Sequence, residues 1–291
     1  MKLGSIEAGG TKFVCGIGDD LGNVHEEITI PTKTPEETIP HVLDFFRHKA
    51  VSAIGIGSFG PVDLNRKSDT YGYITSTPKP HWSQFDLVGT IQKAISVPLA
   101  FDTDVNAAAL GELEWGAAKG LDSCLYMTVG TGIGVGAITE RKLVHGLMHP
   151  EMGHIYTRRH PDDDFVGNCS FHKDCLEGMA AGPALEKRWG VAGKELSDHK
   201  QAWEFEAYYL AQALVNYMLT LSPKKIILGG GVMKQTQLFP LIHDHVLEAL
   251  NGYLNLSELT PENIGDYIVP PALGDQAGLC GGLALAKTVM F

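Results

Sequence analysis

Ile6-Glu7-Ala8-Gly9-Gly10-Thr11-Lys12-Phe13-Val14-Cys15-Gly16-Ile17 reads as a β-rich run, a glycine-threonine turn and a second β-rich run. Met127-Thr128-Val129-Gly130-Thr131-Gly132-Ile133-Gly134-Val135-Gly136-Ala137-Ile138 repeats that chemistry about 120 residues further on. Apolar and β-branched residues on both sides of such a turn predict a hairpin in each case. Each is followed by a polar turn and a further strand candidate, Asn23 to Ile30 in the first and Lys142 to His145 in the second. The recurrence predicts two domains built on one plan.

Outward from the hairpins the pattern alternates. Glu36 to Lys49 is a predicted helix with Thr34 as N-cap and Pro35 at its first position. Strand signals fall at Val51 to Gly57, Leu99 to Asp102 and Ile226 to Leu228. Helical signals fall at Leu87 to Ile95, Ala107 to Lys119, Pro183 to Arg188, Gln201 to Leu221, Phe239 to Tyr253 and Asp275 to Met290. Strands alternating with helices mean α/β. The hinge is expected near residues 115–120. The first domain then covers 1–117, completed by a returning helix of about 275–291, and the second covers 118–274.

The chain has 291 residues, 44% apolar and 20% charged, enough for two domains with real cores. No run is apolar for the ~18 residues of a membrane span. Glu7 and the glycines after it interrupt the N-terminal apolar stretch, so it does not read as a signal peptide. The expectation is a cytoplasmic protein without a membrane partner. A formal net charge of −11 repels a phosphate polymer, so no nucleic-acid partner is expected. A small anion such as ATP is compatible, because N–H donors and a metal can hold it locally. Five cysteines without a secretion signal argue against a disulfide framework. Cys15, Cys124 and Cys280 lie in apolar runs and read as small core residues.

Gly9-Gly10-Thr11-Lys12 offers backbone without Cβ atoms, a hydroxyl and a charge, which suits an anion. Gly130-Thr131-Gly132-Ile133-Gly134 offers a second such turn. Either alone is an ordinary tight turn; one in each domain would clamp a triphosphate. In Ile226-Ile227-Leu228-Gly229-Gly230-Gly231-Val232-Met233-Lys234 a strand runs into three glycines and then a helix, leaving room for a ribose or flat ring at a strand's carboxyl end. Ala181-Gly182-Pro183 opens another helix and would line the same pocket.

Phe101-Asp102-Thr103-Asp104-Val105-Asn106 joins a strand to a helix. One acid suffices for an N-cap, and here there are two. Transfer to a hydroxyl needs a carboxylate within hydrogen-bond reach, and Asp104 is the candidate base, with Asp102 and Asn106 supporting the turn or cap. Cys169, His172 and Cys175 are spaced Cys-x2-His-x2-Cys. With His154 they make a two-thiolate, two-imidazole set suited to a closed structural zinc site. His149 and His160 compete for the fourth place, and the segment from Pro161 to Lys173 is too polar to fold without such a staple.

These motifs together resemble the ROK family (repressors, open reading frames, kinases), and its fructokinase branch in particular, over nearly the whole chain. Glu7-Ala8-Gly9-Gly10-Thr11-Lys12 resembles the family's first phosphate motif, with Glu in place of the commoner Asp, as in fructokinase members. Asp102-Thr103-Asp104-Val105-Asn106 resembles the catalytic motif and maps the base to Asp104; many family glucokinases carry Asn where Thr103 stands. Glu151-Met152-Gly153-His154 resembles the Glu-x-Gly-His element, which favours His154 as metal ligand. The loop from Cys169 to Glu177 resembles the zinc loop, without its usual Cys-x-Cys-Gly core. The segments from Gly57 to Asp63, with Gly60 and Pro61, and from Thr77 to Trp82 resemble the sugar-lobe segments of fructokinases.

The resemblance implies two ribonuclease H-like domains of the actin and hexokinase kind with ATP in the cleft between them. It implies sugar contacts from Glu151, His154 and Glu177, Mg²⁺ near Glu7 or Asp102, a homodimer, and ATP-dependent phosphorylation of a hexose, fructose ahead of mannose, glucose or an N-acetylhexosamine. A repressor of the same family would need a DNA-binding module ahead of the first strand, which starts at Leu3.

Overall fold

A computed structural model describes residues 1–290. Its strands are β1 (Lys2–Ala8), β2 (Lys12–Asp19), β3 (Val24–Pro31), β4 (Ile54–Ser58), β5 (Tyr73–Ile74), β6 (Phe85–Asp86), β7 (Leu99–Thr103), β8 (Cys124–Val129), β9 (Ile133–Thr139), β10 (Lys142–Leu143), β11 (Ile226–Gly229) and β12 (Ile268–Val269). Its helices are α1 (Pro35–Phe46), α2 (Leu87–Ala94), α3 (Asp104–Trp115), α4 (Leu176–Ala180), α5 (Gly182–Trp189), α6 (Lys200–Leu221), α7 (Leu238–Leu250), α8 (Ile264–Tyr267) and α9 (Ala277–Thr288). None is long and apolar enough to cross a membrane, among the described residues.

The two principal sheets have the same topology. One runs β3-β2-β1-β4-β7 and the other β10-β9-β8-β11-β12. In each, an antiparallel hairpin is joined through its first strand to parallel neighbours. The recurring sequence pattern is therefore a recurring fold.

Contacts divide the chain into two compact units. The first holds residues 1–121, 141–150 and 272–291, and the second 122–140 and 151–271. In the first, the inner strands β1 and β4 are buried almost throughout, on both faces. Trp82 is fully buried against Phe13, Phe59 and Phe85, with ring centroids 5.2, 5.7 and 5.3 Å away, and its indole N–H donates to the Lys33 carbonyl. That ring anchors the end of the Thr77–Trp82 loop in the core, while Pro78, Pro80 and His81 stay exposed. Helix α3 is buried from Val105 to Leu113, Asn106 and Glu112 included, and α9 packs against it. The two approach through small residues: a Cβ on Gly281 would stand 2.2 Å from the Ala107 carbonyl oxygen. In the second unit, α6 packs against α7 and α4 within the core that also takes in the apolar residues of β8, β9 and β11.

Several local expectations are corrected. Helix α3 begins at Asp104, not at Ala107, because the Thr103 hydroxyl accepts from the Asn106 amide and caps it. Thr34 occupies the cap position of α1 but makes no capping bond. After Gly231 comes one 3-10 turn, Val232–Lys234, and α7 starts only at Leu238.

Gly281→Val should destabilise the protein by about 1–3 kcal/mol through overpacking against α3. A urea-unfolding midpoint equal to that of the unsubstituted protein would mean the helices are not packed this closely.

Candidate active site

In the first unit the parallel register puts Ala8, Ser58 and Thr103 in one row across β1, β4 and β7. The residues that follow, at the Gly9 turn, at Phe59-Gly60-Pro61 and at Asp104, therefore share the carboxyl edge of the sheet, where open α/β sheets bind ligands. The Gly9–Lys12 turn is held from below. The Gly9 amide donates to the Lys12 carbonyl at 3.0 Å, and the Thr32 hydroxyl donates to the Gly9 carbonyl at 2.7 Å. Gly10, Thr11 and Lys12 are exposed.

Asp104 is the first residue of α3. It keeps some exposed surface, but its carboxyl group is surrounded by protein, and that burial raises its pKa to about 6. The Glu7 carboxyl rises to about 7, first through burial and then through the negative charge of Asp104, with Lys12 opposing. Glu7 also lies over Gly278 in the first turn of α9, where a Cβ would stand 2.3 Å from its carboxyl carbon. Two carboxyl groups and a phosphate-type turn thus share one edge.

Asp102 is differently employed. Its Oδ1 accepts from the Thr103 amide at 2.8 Å and from Asn106 Nδ2 at 2.7 Å. Its Oδ2 lies 2.9 Å from His145 Nε2. Both of its oxygens are engaged and the residue is buried. The His145 interaction raises that imidazole's pKa. Sequence reasoning missed His145, because its partner lies more than forty positions away with no local pattern to reveal it.

The second unit gathers a different set. Gly130, Thr131 and Gly132 form its turn, one residue shorter than the first, and Gly134 belongs to β9. The Gly130 amide donates to the Gly132 carbonyl at 2.9 Å, and the Gly182 amide donates to the Gly130 carbonyl at 2.8 Å, joining the turn to the start of α5, with Pro183 in its first turn. Gly230 has φ +93°, and a Cβ there would meet the Val129 backbone at 2.4 Å, so the Gly229–Gly231 turn presses against the end of β8. Gly231 follows beside Gly130. Val232 and Met233 turn into the core and Lys234 is exposed.

Glu151, His154 and Glu177 also lie in the second unit. Glu151 is exposed and its carbonyl accepts from the His154 amide at 3.0 Å. Glu177 Oε2 accepts from the Ile133 amide at 3.0 Å, against the glycine turn, while its Oε1 lies 4.0 Å from His154 Nε2.

His154, Cys169, His172 and Cys175 have ligand atoms all within 4.8 Å of one another. Cys169 Sγ lies 3.8 Å from His154 Nδ1 and 3.7 Å from His172 Nδ1, and His154 Nδ1 lies 3.5 Å from Cys175 Sγ. A tetrahedral ion with bonds of about 2.0–2.3 Å needs edges of about 3.3–3.8 Å, so the set fits one metal ion. Burial and the adjacent Cys169 push the free Cys175 thiol up to about 12; a bound cation would oppose that. The rivals are elsewhere: His149 accepts from the Val62 amide, and the His160 ring packs on Phe205 at 4.5 Å.

A second anchor of this loop was not foreseen. Asp163 accepts from the Tyr209 hydroxyl at 2.7 Å and lies 3.1 Å from Arg188 Nη2, both side chains of the ion pair being buried. Glu206 is buried on the same helix as Tyr209, and burial raises its pKa well above normal against the pull of Arg188.

Duplicated sheets of this topology, with glycine turns at their parallel edges and an acid opening α3, define a two-domain actin-like fold of the hexokinase type. The ROK family profile matches residues 3–289, and the chain belongs to the ROK family. A Bacillus subtilis (strain 168) relative is 57% identical over 288 residues, 99% of this chain and 96% of that one. A Pediococcus pentosaceus protein named fructokinase is 49% identical over 290 residues, 100% and 99% of the two chains. A Streptomyces griseus ROK family glucokinase, solved with glucose and AMPPNP, superposes with a TM-score of 0.77 at 25% identity, covering 99% of this chain and 100% of that one.

Asp104→Asn should lower the Glu7 pKa from about 7, because it removes the neighbouring negative charge, yet leave it above 4.5, because burial remains. A ¹³C carboxyl titration that finds Glu7 unmoved would separate the two groups.

Proposed function

We propose that this chain transfers the γ-phosphoryl group of ATP to the 6-hydroxyl of fructose. The observation that carries the reading is the buried Asp104 carboxyl beside Glu7 at the edge that bears the Gly9 turn. The high identity to a protein named fructokinase supports the substrate.

The turn amides, Thr11 and Lys12 of the first unit and Thr131 with Gly132 of the second bind the phosphates. Gly182, Pro183 and the Gly229–Gly231 turn line the nucleoside end. Glu7 is the acid that would hold a magnesium ion, which would supply charge neutralisation for the phosphates. Gly60, Pro61, Glu151 and Glu177 orient the sugar. The 6-hydroxyl oxygen attacks the γ-phosphorus in line, its proton passes to Asp104, and ADP leaves. Positioning and charge neutralisation supply most of the acceleration, and the base adds ~10²- to 10⁴-fold.

A pKa near 6 suits this base: it is ionised at neutral pH yet more basic than an exposed aspartate. The sugar kcat/KM should fall about tenfold per pH unit below about 6. Asp104→Asn should retain nucleotide binding and lose about 10²-fold or more in turnover. Near-normal turnover in that variant would remove the base.

Zinc is the ion proposed for the four-ligand set, since two thiolates and two imidazoles leave no open position. Metal analysis should find about one zinc per chain. Chelation should lower the melting temperature, and a metal-free protein of undiminished stability would contradict the site.

A further inference from the structure

Residues 141–150 group by their contacts with the first unit, although Lys142–Leu143 pairs as β10 at the edge of the second sheet and the chain on either side belongs to the second unit. Arg141 begins this excursion by donating to Glu114 at 2.6 Å and to the Leu121 carbonyl at 3.2 Å. His149 ends it, buried, with Nε2 accepting from the Val62 amide at 3.1 Å, directly after Gly60-Pro61. His145 lies between them on Asp102. Asn106 Nδ2 is 3.4 Å from His145 Nε2 but donates to Asp102 Oδ1 at 2.7 Å. Nε2 faces a carboxylate oxygen at 2.9 Å, so it carries a hydrogen and donates.

The excursion therefore grips two strand ends of the proposed site, and it runs straight into Glu151. Asp102 precedes Thr103, the cap of the helix whose first residue is Asp104. Its carboxylate is the junction: Asn106 fixes it from within α3 and His145 from outside. Without His145, Oδ2 of a buried carboxylate loses its partner, and the backbone leading to Asp104 loses a tether.

We propose that His145 is a positioning residue for phosphoryl transfer: through Asp102 it sets the start of α3, and so the Asp104 carboxyl, in register with the segment that leads into Glu151. The inference rests on the kinase reading above. Misplacing a reacting group by about 1 Å costs on the order of 10²-fold in rate, so a tether of this kind acts on turnover as well as on stability.

The test is a double-mutant cycle of His145→Ala and Asp102→Asn, with His145→Gln as the conservative variant, assayed with Mg²⁺-ATP and fructose. His145→Ala should lower kcat and raise the fructose KM, for a combined loss of about tenfold or more in kcat/KM, with the ATP KM changed less than about twofold. The two substitutions should couple, the double variant being about tenfold better than the product of the single losses. His145→Gln, whose amide can donate to Asp102, should recover part of the loss. Hydrogen exchange should show faster exchange of amides 143–149 in His145→Ala. Unaltered kinetics, strictly multiplicative losses, or equal losses in Gln and Ala would overturn the inference while leaving the kinase standing. A wild-type protein that phosphorylates no hexose would remove both.

Discussion

Parallel pairing of β1, β4 and β7 is the constraint on which the rest depends. Parallel neighbours must end on the same edge, so three segments far apart in sequence, at Gly9, Gly60 and Asp104, emerge together whatever their side chains are. The packing of α3 against α9 then fixes the helix that carries Asp104, and the Thr103 cap fixes where that helix starts. The second sheet repeats the arrangement with β8 and β11, bringing the Gly130 and Gly230 turns together.

The electrostatics follow from this geometry. Glu7 and Asp104 are two like charges partly withdrawn from water, and such a pair is costly in the absence of a cation. Burial raises both pKa values, and the charge of Asp104 adds to the rise at Glu7. A magnesium nucleotide would relieve that cost, which is why carboxyl groups that weaken the empty protein make sense in a phosphoryl-transfer site. Asp102, two residues before Asp104, is held by hydrogen bonds from Asn106 and Thr103 and by His145.

Much of this was legible in the sequence, and the exceptions have physical causes. The hairpins were legible because β-branched runs around Gly/Thr turns are local signals, and their recurrence revealed the duplication. The metal cluster was legible because Cys169, His172 and Cys175 lie within seven residues, and His154 followed from its Glu-x-Gly-His context. The start of α3 was misread because an acid and a threonine both cap well, and only coordinates show which does. The His145–Asp102 pair and the Arg188–Asp163–Tyr209 anchor were invisible because each joins positions tens of residues apart through side chains that look like ordinary surface residues in a linear text. The loop from Pro161 to Lys173 is also anchored by the buried Asp163–Arg188 ion pair, which no local pattern marks.

The most direct test of the central claim is ³¹P NMR of the reaction mixture with Mg²⁺-ATP and a panel of hexoses, alongside ADP release. The account predicts one equivalent of fructose 6-phosphate per ADP, with fructose turned over faster than mannose, glucose or N-acetylhexosamines. ADP release without a sugar phosphate, or phosphorylation at another hydroxyl, would contradict it.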